Sequence, residues 1–236
     1  MADYCLFCYG EIMPVISWRT IFLPEEPNYF CEECEGRLEE IQGPVCKKCS
    51  RPLAKLAPEY VKGDLCNDCV RWEEDPRWEG LLQENKSLYV YNDFLKECLS
   101  LYKYRGDYLI AKAFSGKIRK ALKQLSFDLL VPIPLSKERL YERGFNQSAA
   151  LIEEAGFTAE NVLRRIHGEK QSKKSRLERI HLQQVFQMAD NINIEGKKIM
   201  LVDDIYTTGS TLRHAAKVLV ENGVRSVSSF TLARGE

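Results

Sequence analysis

The sequence predicts an α/β fold, a parallel sheet flanked by helices, preceded by a small zinc-ribbon domain. Three observations carry that expectation: four CxxC pairs in the first third of the chain, two apolar runs that each end in a short loop opening a helix, and an acid pair followed by small hydroxyl residues at the second of those corners. An apolar strand that runs into a small-residue turn and then a helical repeat is a βα unit, and successive βα units build a parallel sheet.

Eight of the nine cysteines form the pairs Cys5/Cys8, Cys31/Cys34, Cys46/Cys49 and Cys66/Cys69. The spacing puts two thiolates on one tight turn facing one tetrahedral zinc, and two such knuckles close a site. The simplest pairing is sequential: Cys5, Cys8, Cys31 and Cys34 hold one Zn²⁺, and Cys46, Cys49, Cys66 and Cys69 hold a second. Interleaved pairing, as in cross-brace modules, is the alternative. A thiol redox role lacks the βαβ pattern that should surround such a pair. Both zincs are expected to be structural, because a segment with so few large apolar residues gains much of its folding free energy from metal binding. The ninth cysteine, Cys98, keeps helical spacing with Phe94, Leu95, Leu99 and Tyr102 and reads as core.

With 236 residues, 44% of them hydrophobic, the chain is expected to be globular and to hold two modest domains, 1–76 and 82–236, joined by the charged stretch 72–80. Its 34 basic and 34 acidic residues balance overall but not along the chain. Residues 1–80 carry nine Lys and Arg against sixteen Asp and Glu, a net charge of −7 that the remainder offsets. An acidic ribbon repels a phosphate backbone, which favours protein docking there and leaves phosphate-rich partners to the C-terminal part. No apolar run is long enough for a membrane helix, and the N-terminus has neither the basic nor the apolar region of a signal peptide. The expectation is a cytoplasmic protein without membrane insertion, in which reduced cysteines bind metal.

From residue 82 onward the expected order is a strand at 87–92, a helix at 94–102 and the turn KYRGD at 103–107. That turn is either ordinary or a phosphate contact. A helix follows at 108–125, then a strand at 127–133 ending in the turn Pro134, Leu135 and Ser136, and a further helix through Ala149 and Ile152. The last elements are a helix at 212–222 closed by Gly223 and a strand at 226–232. His167, His181 and His214 have no ligand or triad spacing.

The chemistry concentrates in KKIMLVDDIYTTGST, residues 197–211. Tyr206, Thr207, Thr208, Gly209, Ser210 and Thr211 bring backbone N–H groups and hydroxyls to a helix start, where orphan donors and the helix dipole favour a phosphate. Asp203 and Asp204 do not suit that phosphate, so they face a polyol, a cation or both. A phosphate beside vicinal hydroxyls describes ribose 5-phosphate.

The stretch resembles the phosphoribosyl pyrophosphate (PRPP) signature of the type I phosphoribosyltransferases. The resemblance implies that Asp203 and Asp204 hold the ribose hydroxyls and that residues 206–211 wrap the 5-phosphate. It implies that Pro132, Ile133, Pro134, Leu135, Ser136 and Arg143 form the pyrophosphate loop, with Lys137 and Arg139 nearby, and that Mg²⁺ accompanies PRPP if the pocket is active. In relatives acting on 6-oxopurines an aspartate stands at the place of Thr207, so this chain is expected not to use hypoxanthine or guanine. The string VPIPLSKERLYERGFNQS, the cysteine pairs and VDDIYTTGST together resemble the ComF family of competence proteins nearly end to end. That resemblance implies a role in natural transformation, acting on incoming single-stranded DNA with the helicase-like ATPase ComFA. It also implies a mobile loop at 164–181, with seven Lys and Arg against two Glu. In that loop Gln171, Ser172, Lys173, Lys174, Arg176 and Arg179 are the candidates for closing over PRPP or contacting single-stranded DNA. An active phosphoribosyltransferase (a glycosyltransferase) of unknown acceptor and a zinc-ribbon adaptor on a transferase scaffold are the competing expectations.

Overall fold

The computed structural model describes residues 3–12, 28–166, 185–190 and 192–235. The loop candidates Gln171, Ser172, Lys173, Lys174, Arg176 and Arg179 lie outside the described residues. The N-terminal part contains β1 (Asp3–Tyr4), β2 (Glu11–Ile12), α1 (Glu32–Gly36), β3 (Val61–Lys62), β4 (Leu65–Cys66) and α2 (Asn67–Glu74). It continues through β5 (Asn85–Val90), α3 (Asp93–Tyr104), α4 (Ile110–Leu122), β6 (Leu129–Pro132), α5 (Lys137–Arg143) and α6 (Gln147–Glu154). The hairpin β7 (Leu163–Arg165) and β8 (Phe186–Met188), then β9 (Lys198–Tyr206), α7 (Ser210–Glu221) and β10 (Ser226–Arg234) complete the chain.

Four strands form an all-parallel sheet in the order β5-β10-β9-β6. A parallel sheet needs both faces covered, and the pleat of β9 shows how this is met. Met200 and Val202 pack with Leu95, Leu99, Phe114 and Leu151 from α3, α4 and α6. Ile199 and Leu201 face the other way, onto Leu212, Ala216 and Leu219 of α7. Cys98 is fully buried among the first group, as its helical spacing predicts.

The cysteine-rich part divides around this sheet. Cys5 and Cys34 join the core on the α3 and α4 side, where Phe30 packs edge-on to Phe94 and Phe114. Cys46, Cys49, Cys66 and Cys69 join the core on the α7 side with Leu82, Val131 and Tyr206. The chain passes from one face to the other along the outer edge of β5. There Ile41 N–H donates to Leu88 O at 2.8 Å and Val90 N–H donates to Glu39 O at 2.9 Å, with Glu40 paired antiparallel to Tyr89. The edge strand is thereby covered. The stretch 72–80, expected as a linker, is the end of α2 and a turn in which Trp78 is buried against Trp72 and His214. Among the described residues no helix is long and apolar enough to cross a membrane.

Asn92 joins the two parts. Its side-chain oxygen caps α3 at Leu95 N (2.9 Å) and its amide donates to Arg37 O (2.8 Å). Loss of a helix cap together with a cross-link of this kind costs about 1–2 kcal/mol. Asn92→Ala should therefore lower the urea midpoint with the slope of the transition unchanged.

Candidate functional site

β6 and β9 are adjacent parallel strands, and the site forms at their carboxyl ends, where loops in an open α/β sheet hold ligands. β6 stops at Pro132, opposite Val202, while β9 continues through Asp203 and Asp204 to Tyr206 because β10 keeps pairing with it as far as Arg234. The acid pair therefore belongs to the strand, which runs four residues past the apolar run Ile199, Met200, Leu201 and Val202. The pyrophosphate-loop candidates Ile133, Pro134, Leu135 and Ser136 lie beside it, anchored by Ile133 N–H donating to Val202 O at 2.9 Å.

Asp203 and Asp204 do not stand alone. Lys103, at the end of α3, makes an ion pair with Asp204. Ser148 donates its hydroxyl to Asp203 Oδ1 at 3.2 Å, and Asp204 N–H donates to the same oxygen at 2.9 Å. Desolvation, followed by the charge of Asp204, raises the Asp203 carboxyl from 3.8 to about 7, against the opposing influence of Lys103 and Ser148. Arg165, on β7, is lowered by burial and by the neighbouring charge of Arg139, while Asp203 acts on it in the opposite sense. One carboxylate thus feels cations from α3 and from the hairpin.

The RGFNQS string ties these parts together. Asn146 caps α6, accepting from Ser148 N–H and Ala149 N–H, and its amide donates to Ile133 O at 3.0 Å. Arg143 donates to Gln147 Oε1 at 2.9 Å and its guanidinium lies 6.0 Å from the Tyr104 ring centre. Ser136 is the cap of α5, accepting from Arg139 N–H. Lys137 and Arg139 are exposed beyond it.

Of the phosphate-loop candidates, Tyr206 ends β9 with its ring buried and the others follow it. Thr207 and Thr208 are exposed, Gly209 has φ of +77° and is buried, and α7 begins at Ser210. A Cβ on Gly209 would strike Tyr206 Oη and Arg213 Nη1, so both the backbone angle and the space require glycine. Ser210 N–H donates to Thr208 Oγ1 at 3.3 Å. The start of α7 with its hydroxyls thus follows directly on an acid pair in which Asp204 is buried under Lys103 and Asp203 is half-buried.

Each cysteine set gathers as the sequential pairing expects. In both, one Sγ from each of the four residues lies within 4.8 Å of the others. Cys8 and Cys31 are 3.6 Å apart, as are Cys49 and Cys66. Four sulfurs about 2.3 Å from a tetrahedral zinc are separated by roughly 3.8 Å, so both donor sets fit Zn²⁺. Cys66 N–H also donates to Cys46 Sγ at 3.3 Å, which would stabilise a thiolate ligand.

Sequence reasoning did not single out Lys103 as an acid-pair partner, nor Ser148 or Arg165 as site residues. Lys103 stands four residues after the buried Leu99, a spacing that places it on α3 but does not name the acid it meets. The other two carry no such signal, because their proximity to Asp203 arises only from tertiary packing.

Residues 143–236 match the family model described as the phosphoribosyl transferase domain. The chain is 42% identical to the competence protein ComFC of Bacillus subtilis (strain 168), over 98% of this chain and 94% of that protein. It is 32% identical to the competence protein ComFC of Streptococcus pneumoniae, over 98% of this chain and 99% of that protein. The DNA utilization protein YhgH of Escherichia coli (strain K12) is 32% identical over 45% of this chain and 49% of its own. The α/β phosphoribosyltransferase-like fold expected from the sequence is the one found.

Two outcomes follow from the geometry. The folded protein holds the Asp203 proton to about pH 7, whereas the unfolded chain releases it near the ordinary 3.8. Wild-type stability should therefore fall as pH rises between those values and level off above. In Asp203→Asn this slope should be absent, as checked by denaturant midpoints at several pH values. Gly209→Ala should lose at least ~1–2 kcal/mol from the left-handed backbone alone, and calorimetry with ribose 5-phosphate should show weaker binding.

Proposed function

The chain belongs to the ComFC family of competence proteins, and from that membership and the pocket at the ends of β6 and β9 we propose that it handles incoming single-stranded DNA during natural transformation, using a PRPP-type site that holds a ribose phosphate. A role in competence is the part its relatives share. The observation that carries the finer reading is the Asp203 and Asp204 pair, held by Lys103 and Ser148 beside the 206–211 loop.

In this reading the protein acts in the cytoplasm, with the helicase-like ATPase ComFA as its partner on the DNA. Asp203 and Asp204 orient the ribose 2′ and 3′ hydroxyls, with Lys103 paired to Asp204. The N–H groups and hydroxyls of residues 207–211 take the 5-phosphate. The loop 132–136 and Arg143 face the pyrophosphate, and a bound Mg²⁺ would supply charge neutralisation between pyrophosphate and ribose. The basic segment with Lys173, Lys174 and Arg176 contacts DNA phosphates without reading sequence. Two structural zincs hold the cysteine sets.

A second reading, turnover of PRPP onto an unidentified acceptor, is favoured by the unbroken VDDIYTTGST and by an Asp203 carboxyl whose raised proton affinity suits it to hold a proton near neutrality. Thr207, in place of the purine-contacting aspartate of the 6-oxopurine enzymes, argues against hypoxanthine or guanine as that acceptor.

Calorimetry of PRPP with Mg²⁺ should give saturable heat with the wild type and none with the Asp203→Asn, Asp204→Asn double variant. Absence of heat in the wild type would end both readings of the pocket, and pyrophosphate release would separate turnover from binding. Single-stranded DNA binding should weaken with added salt and after neutralisation of Lys173, Lys174 and Arg176. Salt-independent binding would count against the DNA role.

A further inference from the structure

The loop expected to take the 5-phosphate rests on the second cysteine module. Helix α2 begins directly after Cys66 and carries Cys69 in its first turn, and Trp72 is one turn further on. The indole Nε1–H of Trp72 donates to the carbonyl of Thr208 at 2.9 Å. Its ring lies 4.7 Å from the guanidinium carbon of Arg213, which is fully buried, donates to Tyr206 Oη at 2.7 Å and faces Glu73 at 3.9 Å. A second route runs through Arg234, which donates to Cys49 Sγ at 3.4 Å and to Tyr206 O at 3.2 Å. A third runs through Trp78, whose ring lies tilted 4.8 Å from that of His214, which bonds to Ser210 O at 2.8 Å.

These contacts reach Tyr206 at the end of β9, Thr208, and Ser210 and Arg213 in the first turn of α7. The first cysteine set has no part in them: it packs across the sheet against Phe94 and Phe114. The Trp72 bond also has a directional effect. A trans peptide is planar, with its C=O and N–H pointing opposite ways. Holding the Thr208 carbonyl against the module therefore turns the Gly209 N–H away from it, fixing a donor that a flexible glycine peptide would otherwise be free to rotate.

We propose that Trp72 is a positioning residue for the phosphate loop, and that the metal-loaded second cysteine module is thereby a structural part of the ribose 5-phosphate site. This rests on the ribose phosphate reading of the pocket and adds a coupling to it. The cysteine set orients α2, α2 carries Trp72, and Trp72 sets the loop peptide. Affinity for a ribose 5-phosphate group then depends on the second metal site and not on the first.

The test uses the full-length, zinc-loaded protein and Trp72→Phe, which removes the indole donor and keeps a smaller aromatic ring between Arg213 and Trp78. Metal analysis should return about two zinc per chain for both proteins, which establishes that the variant is folded around its sites. Loss of one hydrogen bond of this kind should weaken ribose 5-phosphate binding about three- to tenfold. Affinity for inorganic pyrophosphate, taken by the 132–136 loop, should be unchanged. Amide hydrogen exchange across residues 207–211 should quicken in the variant. Unchanged ribose 5-phosphate affinity with unchanged exchange overturns the proposal, and so does equal weakening of both ligands, which marks a general structural loss. If the wild type binds no ribose 5-phosphate, the pocket reading fails, and the exchange measurement alone decides whether Trp72 positions the loop.

Discussion

Two carboxylates side by side at the end of a buried strand repel one another, and much of the architecture near the sheet's carboxyl edge can be understood as making that pair tolerable. Charges in a low-dielectric setting need partners. They come from three places far apart in sequence: Lys103 at the end of α3, the Ser148 hydroxyl in the first turn of α6, and the backbone of the pair itself. α3 and α6 must therefore lie on the same face of the sheet with their ends at the same edge. The large apolar side chains along α3, α4 and α6 provide the burial that keeps them there. Even so, the pair is not fully compensated, and the raised proton affinity of Asp203 is the remainder.

The RGFNQS string acquires a physical meaning in this light. Arg143 holds Gln147, Asn146 holds Ile133 and caps α6, and Ser148 holds Asp203. Within six residues the string binds its own helix, the loop after β6 and the acid pair near the end of β9. Substituting Asn146 would disturb the loop after β6 and the start of α6 together, whereas an ordinary helix cap satisfies only its own helix.

The sequence was most legible where chemistry is local. Cysteine spacing and chain order predicted which thiols gather, because each tight turn brings its own pair together and the shortest closure joins neighbouring pairs. The corner at 197–211 announced a strand, a phosphate-competent turn and a helix, since burial, glycine and hydroxyls each leave a trace in the residue string. What could not be read was placement across the sheet. Trp72 sits among charged residues in a stretch that reads as a linker, yet its indole meets Thr208, 136 residues away. Lys103 appeared to belong to a turn, and only the packing of α3 shows it directed at Asp204. The strand at β9 ran longer than its apolar run because pairing with β10 continues past the acids, and backbone pairing has no side-chain signature.

The strip at residues 39–41, which crosses from one face of the sheet to the other, links metal supply to solubility. It lies between the two cysteine sets and is drawn along β5 by their packing on opposite faces. Without metal in the two cysteine sets the chain would lose the anchors at both ends of this strip, leaving the outer edge of β5 beside Leu88 and Val90 with unpaired backbone groups. An open strand edge of that kind is a template for joining another chain. Metal depletion would then act through self-association as well as through the loop that the second cysteine module supports.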